Sequence, residues 1–195
     1  MPYDHLWATW RSDYVRGVTD TRVPAAGPGG EGAPEVDVPG RSLFERILAE
    51  AGDGSGDADR EAGIVVRGER CFVLLNRFPY TSGHLMVLPN RAESDLEGLD
   101  AAEYAELWEL VRSAVAAQRR GLGCEAVNVG LNLGLAAGGS QSDHLHVHCV
   151  PRWVGDANFM SVTADTRVLP VSLDEAWSRL RSVWEPAPGG GTVRS

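Results

Sequence analysis

Apolar residues recur along this chain at two spacings. Short runs at 64–67, 71–75, 84–88, 126–133 and 144–151 are rich in Val, Leu, Ile and Phe and read as strands. Gly68 and Glu69 form a tight turn, so the first two runs pair as a hairpin. Pro89 stops the third run, and residues 76–83, with Pro79 and Gly83, form a loop before it. Helical spacing appears elsewhere. Ser42 with Glu45 three residues later makes a capping box ahead of Leu43, Phe44, Ile47 and Leu48. Asp100 with Glu103 makes a second. The helix behind it carries Tyr104, Leu107, Trp108, Val111 and Val115 on one stripe, expected to face the core, and Gly121 is expected at its C′ position. Residues 173–184 predict a last helix. The mixture predicts an α+β fold, an antiparallel sheet with helices packed mainly on one side.

The flanks are different in kind. Leu6, Trp7, Trp10, Tyr14 and Val15 have helix-like spacing and predict a packing helix or arm. Residues 23–40 are rich in Pro and Gly and predict a linker, and residues 52–59 predict a mobile loop. The expected organisation is an arm, linker and short helix over 1–60, one domain over 61–160, and a strand/helix extension with a flexible Pro/Gly tail over 161–195.

The last strand pattern carries the chemistry. Of five histidines in the chain, three are His144, His146 and His148. On a strand they share one face at about 6.6 Å intervals, while Leu145, Val147 and Cys149 face the core. Packing is one use of such a row, although three imidazoles in register exceed what packing needs. A metal is another, but the first and third rings lie about 13 Å apart, too far to share an ion bound at about 2 Å. The third use is nucleophilic catalysis along a phosphate chain, with the central ring attacking and its neighbours holding oxygens. The spacing favours it.

Residues 144–150 resemble the signature of the histidine-triad (HIT) family of nucleotide hydrolases and transferases. Residues 76–89, from Asn76 through Pro79, Gly83 and His84 to Pro89, resemble the family's other block. The resemblance covers roughly residues 63–159. Residues 6–11, 138–140 and 153–159 are similar to a subgroup, the bacterial diadenosine tetraphosphate phosphorylases. It implies a HIT-like fold and a homodimer as minimum assembly. It also implies His146 as nucleophile and Asn76 near the nucleoside. Many relatives carry a Cys-x-x-Cys pair where this chain has Ser42 and Glu45, and a further zinc-ligating histidine near Ala92. The chain departs at all three positions, so no metal site is expected.

Other polar residues are candidates for substrate binding. His84, after a glycine at a strand start, reads equally as a structural donor or a site residue. Asn132 reads as a turn former or a donor to phosphate. Gly139 and Ser140 belong to a small-residue loop whose N–H groups can approach an anion. Arg152 reads as phosphate-holding or solvated, and Trp153 as a base platform or a cap on the core.

Composition narrows the partners. A net charge of −9 argues against generic nucleic-acid binding. It also means a polyphosphate must be held by local donors: imidazolium, backbone N–H groups and helix N-termini. No apolar run approaches ~20 residues, so no membrane span is expected. The start has no basic segment followed by an apolar one, so no signal peptide is expected. Three cysteines, two in strand patterns, predict reduced core thiols and a cytoplasmic protein. All 18 basic residues are arginine, which points to base composition rather than to function.

The expected reaction is attack by His146 on the α-phosphorus of a nucleoside polyphosphate, giving a nucleotidyl-histidine. No cofactor is required for that step; Mg²⁺ is expected only with the nucleotide. Water or inorganic phosphate then takes the nucleotidyl group. Many HIT hydrolases have Gly-Gln-Ser in the small-residue loop, whereas here the order is Gly139-Ser140-Gln141, which leans toward phosphate. A metal-dependent enzyme and a nucleotide-binding regulator without turnover remain open as other classes.

Overall fold

The computed structural model describes residues 41–52, 54, 56–137, 141–156 and 170–185. The predicted arm, the 23–40 linker and the terminal tail lie outside the described residues. Helix α1 (Leu43–Glu50) is followed by α2 (Gly56–Ala62), then by strands β1 (Ile64–Arg67), β2 (Cys71–Leu75) and β3 (Leu85–Pro89). Helix α3 (Ala101–Leu122), strands β4 (Ala126–Leu131) and β5 (Val147–Arg152), and helix α4 (Leu173–Ser182) complete the order. The strands form one antiparallel sheet in the order β1-β2-β3-β5-β4. The α+β, antiparallel expectation holds.

Alternation along β2 and β3 builds two apolar layers. Cys71, Val73, Leu85 and Val87 face Leu107, Val111 and Ala114 of α3 and Leu180 of α4. Phe72, Leu74, Met86 and Leu88 face Phe44 of α1 on the other side. Burying a side chain such as Phe72 contributes about 1.5–3 kcal/mol. Both faces of β2 and β3 are therefore covered, and their strands read as continuous apolar runs for that reason. On β5 the α3 side takes Val147 and Cys149, while α1 covers only part of the other side.

The caps behave as the residue types require. Ser42 accepts from Glu45 N–H while the Glu45 carboxylate accepts from Ser42 N–H, and Asp100 and Glu103 do the same at α3. Several boundaries differ from expectation. The α3 helix runs past Gly121 and stops at Gly123, which takes the left-handed conformation at φ 64°. Tyr104 is exposed rather than core; the buried stripe is Leu107, Leu110, Val111, Ala114 and Ala117, one step round the helix. The expected mobile loop at 52–59 contains the start of α2, where Asp59 accepts an ion pair from Arg67. The final strand begins at Val147, not at 144: ladder pairing starts with Val87 and Leu131 opposite Val147. Cys71, Cys124 and Cys149 are free and buried. Among the described residues, no helix is long and apolar enough to cross a membrane.

Candidate functional site

The site lies on the part of the sheet that α1 leaves open. Met86 opposite His148 places that ring on the α1 side. The ring centroids of His146 and His148 are 4.8 Å apart and nearly perpendicular, and Phe44 packs against the rings of both His144 and His146. The three histidines thus come together, but not as an even row along a strand. His144 and His146 precede the ladder and are fixed by side-chain and carbonyl contacts instead.

His146 makes one such contact. Its Nδ1–H donates to the carbonyl of His144 at 2.8 Å, which in the neutral tautomer puts the lone pair on Nε2. Nε2 has no hydrogen-bond partner among the described residues. The ring is buried at 7% exposure yet has a lone pair directed away from the backbone.

His148 is held by His84. The Asn76 carboxamide oxygen accepts from Phe78 N–H, so its N–H₂ faces His84 Nδ1 at 3.2 Å. Tyr80 N–H points at the same nitrogen. His84 Nδ1 is therefore an acceptor, and its Nε2–H donates to His148 Nδ1 at 3.0 Å. That contact places the proton of His148 on Nε2, as a donor on the far side of its ring. Burial, then the neighbouring His146, pushes the His148 pKa down to about 4, so this donor is neutral near pH 7. Of the local donors expected for a phosphate chain, this ring supplies a neutral N–H rather than an imidazolium.

His144 faces inward. It is 1% exposed, with Nε2 bonded to the Pro89 carbonyl at 2.9 Å and Nδ1 2.6 Å from the Ser42 hydroxyl. Burial lowers its pKa as well. Both ring nitrogens are engaged by protein, which leaves neither for a ligand.

The remaining candidates divide. Asn132 follows β4 directly, one step past the pair Leu131–Val147, which places it opposite His146 in register. Trp153 is half-buried just after β5. Arg152 is committed to Asp156 at 2.6 Å and to Asn128. Gly139 and Ser140 lie outside the described residues. At the positions where relatives carry zinc ligands, the Glu45 carboxylate accepts from Ala92 N–H at 2.9 Å while Ser42 holds His144.

Three residues around the histidines were missed by the reading of the sequence. Tyr80 lies with its ring 4.7 Å from His84 and 5.9 Å from His148, and Phe78 beside it is 80% exposed. Gln118, fully buried on α3, donates to the carbonyls of Gly83 and Cys149, the neighbours of His84 and His148. Phe78 and Tyr80 flank Pro79 in a loop, and an aromatic pair there was a usable signal. Gln118 had one too, a polar residue continuing the apolar stripe of α3.

Comparison with known proteins agrees with this geometry. The HIT domain profile matches residues 58–154. The chain is 43% identical over 131 residues to the AP-4-A phosphorylase of Mycobacterium tuberculosis, 67% of each chain. It is 33% identical over 93 residues to the asymmetrical bis(5'-nucleosyl)-tetraphosphatase of Schizosaccharomyces pombe, 48% of this chain and 50% of that one. Among solved structures, a zinc-bound histidine triad family protein from Mycobacterium smegmatis superposes with a TM-score of 0.51 at 28% identity, covering 61% of this chain and 81% of that one. With the rings of the triad gathered at the start of β5 and this degree of identity over two thirds of the phosphorylase, the chain belongs to the HIT domain family.

Proposed function

We propose that this HIT enzyme is a nucleotidyltransferase that phosphorolyses diadenosine tetraphosphate to ATP and ADP. The observation that carries the reading is His146: its Nδ1–H is fixed on the His144 carbonyl and its Nε2 is left for attack. Nε2 forms a bond to the α-phosphorus while the bond to the bridging oxygen breaks, and ATP leaves with that oxygen and its charge. His148, neutral with its proton on Nε2, donates to a phosphate oxygen in the transition state. A leaving nucleotide needs no proton, which suits a ring whose pKa is too low to supply one. Inorganic phosphate then attacks the adenylyl-histidine, releasing ADP and restoring the imidazole.

The similarity to a protein named AP-4-A phosphorylase supports phosphate as the acceptor. The exposed Phe78 and half-exposed Tyr80 support an aromatic contact to a base or sugar next to His148. Asn76 and Asn132 serve the substrate as neutral donors, with Trp153, Gly139 and Ser140 completing the set. Such dipoles suit a chain of net charge −9. The covalent step uses no metal, and Mg²⁺ accompanies the nucleotide. The enzyme works as a homodimer at least: β4 is an edge strand, and Val129, Leu133 and Leu135 on and beyond it are exposed apolar residues.

The similarity to a tetraphosphatase supports a second reading, in which water is the acceptor. The two readings separate on products. Diadenosine tetraphosphate incubated at rising phosphate concentration, with products separated by chromatography, gives ATP and ADP at a phosphate-dependent rate on the first. AMP and ATP at a rate indifferent to phosphate establishes the second.

A further inference from the structure

Ser42 lies 102 positions from His144 in the chain, yet its hydroxyl reaches His144 Nδ1 at 2.6 Å. The same oxygen accepts from Glu45 N–H at 3.1 Å as the N-cap of α1. Its own proton is therefore available to His144. The opposite ring nitrogen faces the Pro89 carbonyl, which can only accept, so His144 carries its proton on Nε2. Donor and acceptor roles close consistently: Ser42 O–H to Nδ1, Nε2–H to Pro89.

The backbone around His144 has few other restraints. The β5 ladder starts at Val147, and between it and His144 the main chain is tied by Leu145 N–H to the Glu93 carbonyl. The His144 carbonyl is nevertheless the group that holds Nδ1–H of His146. A ring clamped at both nitrogens, with the edge-on Phe44 ring at 5.4 Å, sets where that carbonyl points.

We propose that Ser42 is a positioning residue of the reaction: its hydroxyl fixes the tautomer and plane of His144, and through the His144 carbonyl fixes the attacking nitrogen of His146. Helix α1 is thereby part of the catalytic support and not only a cover for the sheet. The assignment rests on the reading of His146 as nucleophile.

The test separates this role from helix capping. Glycine is nearly as good an N-cap as serine but has no hydroxyl to donate. Nitrogen NMR of histidine-labelled protein reads the tautomer without substrate. The wild type is expected to show His144 as Nε2–H with a hydrogen-bonded Nδ1. Ser42→Gly is expected to lose the hydrogen-bonded Nδ1 signal and to lower kcat on diadenosine tetraphosphate by on the order of 10- to 100-fold, with KM little changed. Ser42→Thr, which keeps the hydroxyl, is expected to restore both. A Ser42→Gly protein with unchanged His144 shifts and unchanged kcat overturns the proposal. So does a wild-type spectrum with His144 as Nδ1–H or imidazolium at neutral pH, which needs no variant to fold. A wild type inert toward diadenosine tetraphosphate counts against the reaction above, while the His144 spectrum still decides the part played by Ser42.

Discussion

His84 Nε2 lies 3.0 Å from His148 Nδ1, and the two rings come from strands that pair antiparallel. Because Asn76 and Tyr80 donate to the other nitrogen of His84, the proton between the rings belongs to His84. The consequence reaches the ligand side, where His148 presents an N–H and not a lone pair.

That order of donors is open to reversal. Asn76→Asp puts an acceptor where a donor stood, so it opposes the His84 tautomer that His148 requires. It is expected to cost more turnover than Asn76→Ala, which removes the donor to His84 and the acceptor for Phe78 N–H but sets no acceptor against His84. Steady-state kinetics on diadenosine tetraphosphate check this; equal losses would mean that the tautomer of His84 has no part in the reaction.

His146→Ala is expected to abolish turnover, by on the order of 10⁴ or more, because the proposed covalent intermediate forms on the Nε2 of that ring. His144→Ala and His148→Ala are expected to be milder, since these rings hold and orient. Circular dichroism confirms folding, and the rates decide. Similar modest losses from all three would mean that the triad binds without reacting.

How far such roles could be seen in advance depended on whether a residue's work is local. Capping boxes at Ser42 and Asp100 were legible because a cap is settled within four residues. The buried face of Leu145, Val147 and Cys149 was legible from alternation. The even row of imidazoles was not what formed, because His144 and His146 lie ahead of the ladder and take their geometry from Pro89 and from each other. Ser42 as a partner of His144 was illegible for the same reason, since the contact spans 102 positions. The stop at Gly123 in place of Gly121 followed from tertiary fit: Gly121 sits against the backbone of Arg179 on α4, where a side chain would be crowded.

Acid should weaken the fold through His148. Its pKa falls from 6.5 to about 4 on burial, so below pH 6.5 the unfolded chain binds more protons than the native one. The stability tied to the neutral ring is fully present above pH 6.5 and is lost as the pH falls toward 4. The loss is on the order of 1–2 kcal/mol, allowing for partial solvent screening. Melting temperatures of wild type and His148→Gln across pH 4–7 check it: the gap between them should shift in the variant's favour on acidification. A gap independent of pH would contradict the half-buried, neutral His148.

Ser140→Ala is expected to raise the phosphate concentration needed for half-maximal rate more than it raises KM for the dinucleotide. The reason is that the proposal gives the Ser140 hydroxyl to the acceptor, inorganic phosphate, rather than to the dinucleotide. Kinetics with each substrate varied in turn provide the test. An effect confined to the dinucleotide would assign Ser140 to the first anion instead.

The most direct test of nucleotidyl transfer to phosphate follows the phosphorus itself. Diadenosine tetraphosphate is incubated with the enzyme and isotopically labelled inorganic phosphate, and the label is traced in the separated products. Attack by phosphate on an adenylyl-histidine predicts label in the terminal phosphate of ADP, with ATP unlabelled and formed in equal amount. Unlabelled AMP alongside ATP, with no label in any nucleotide, would contradict it.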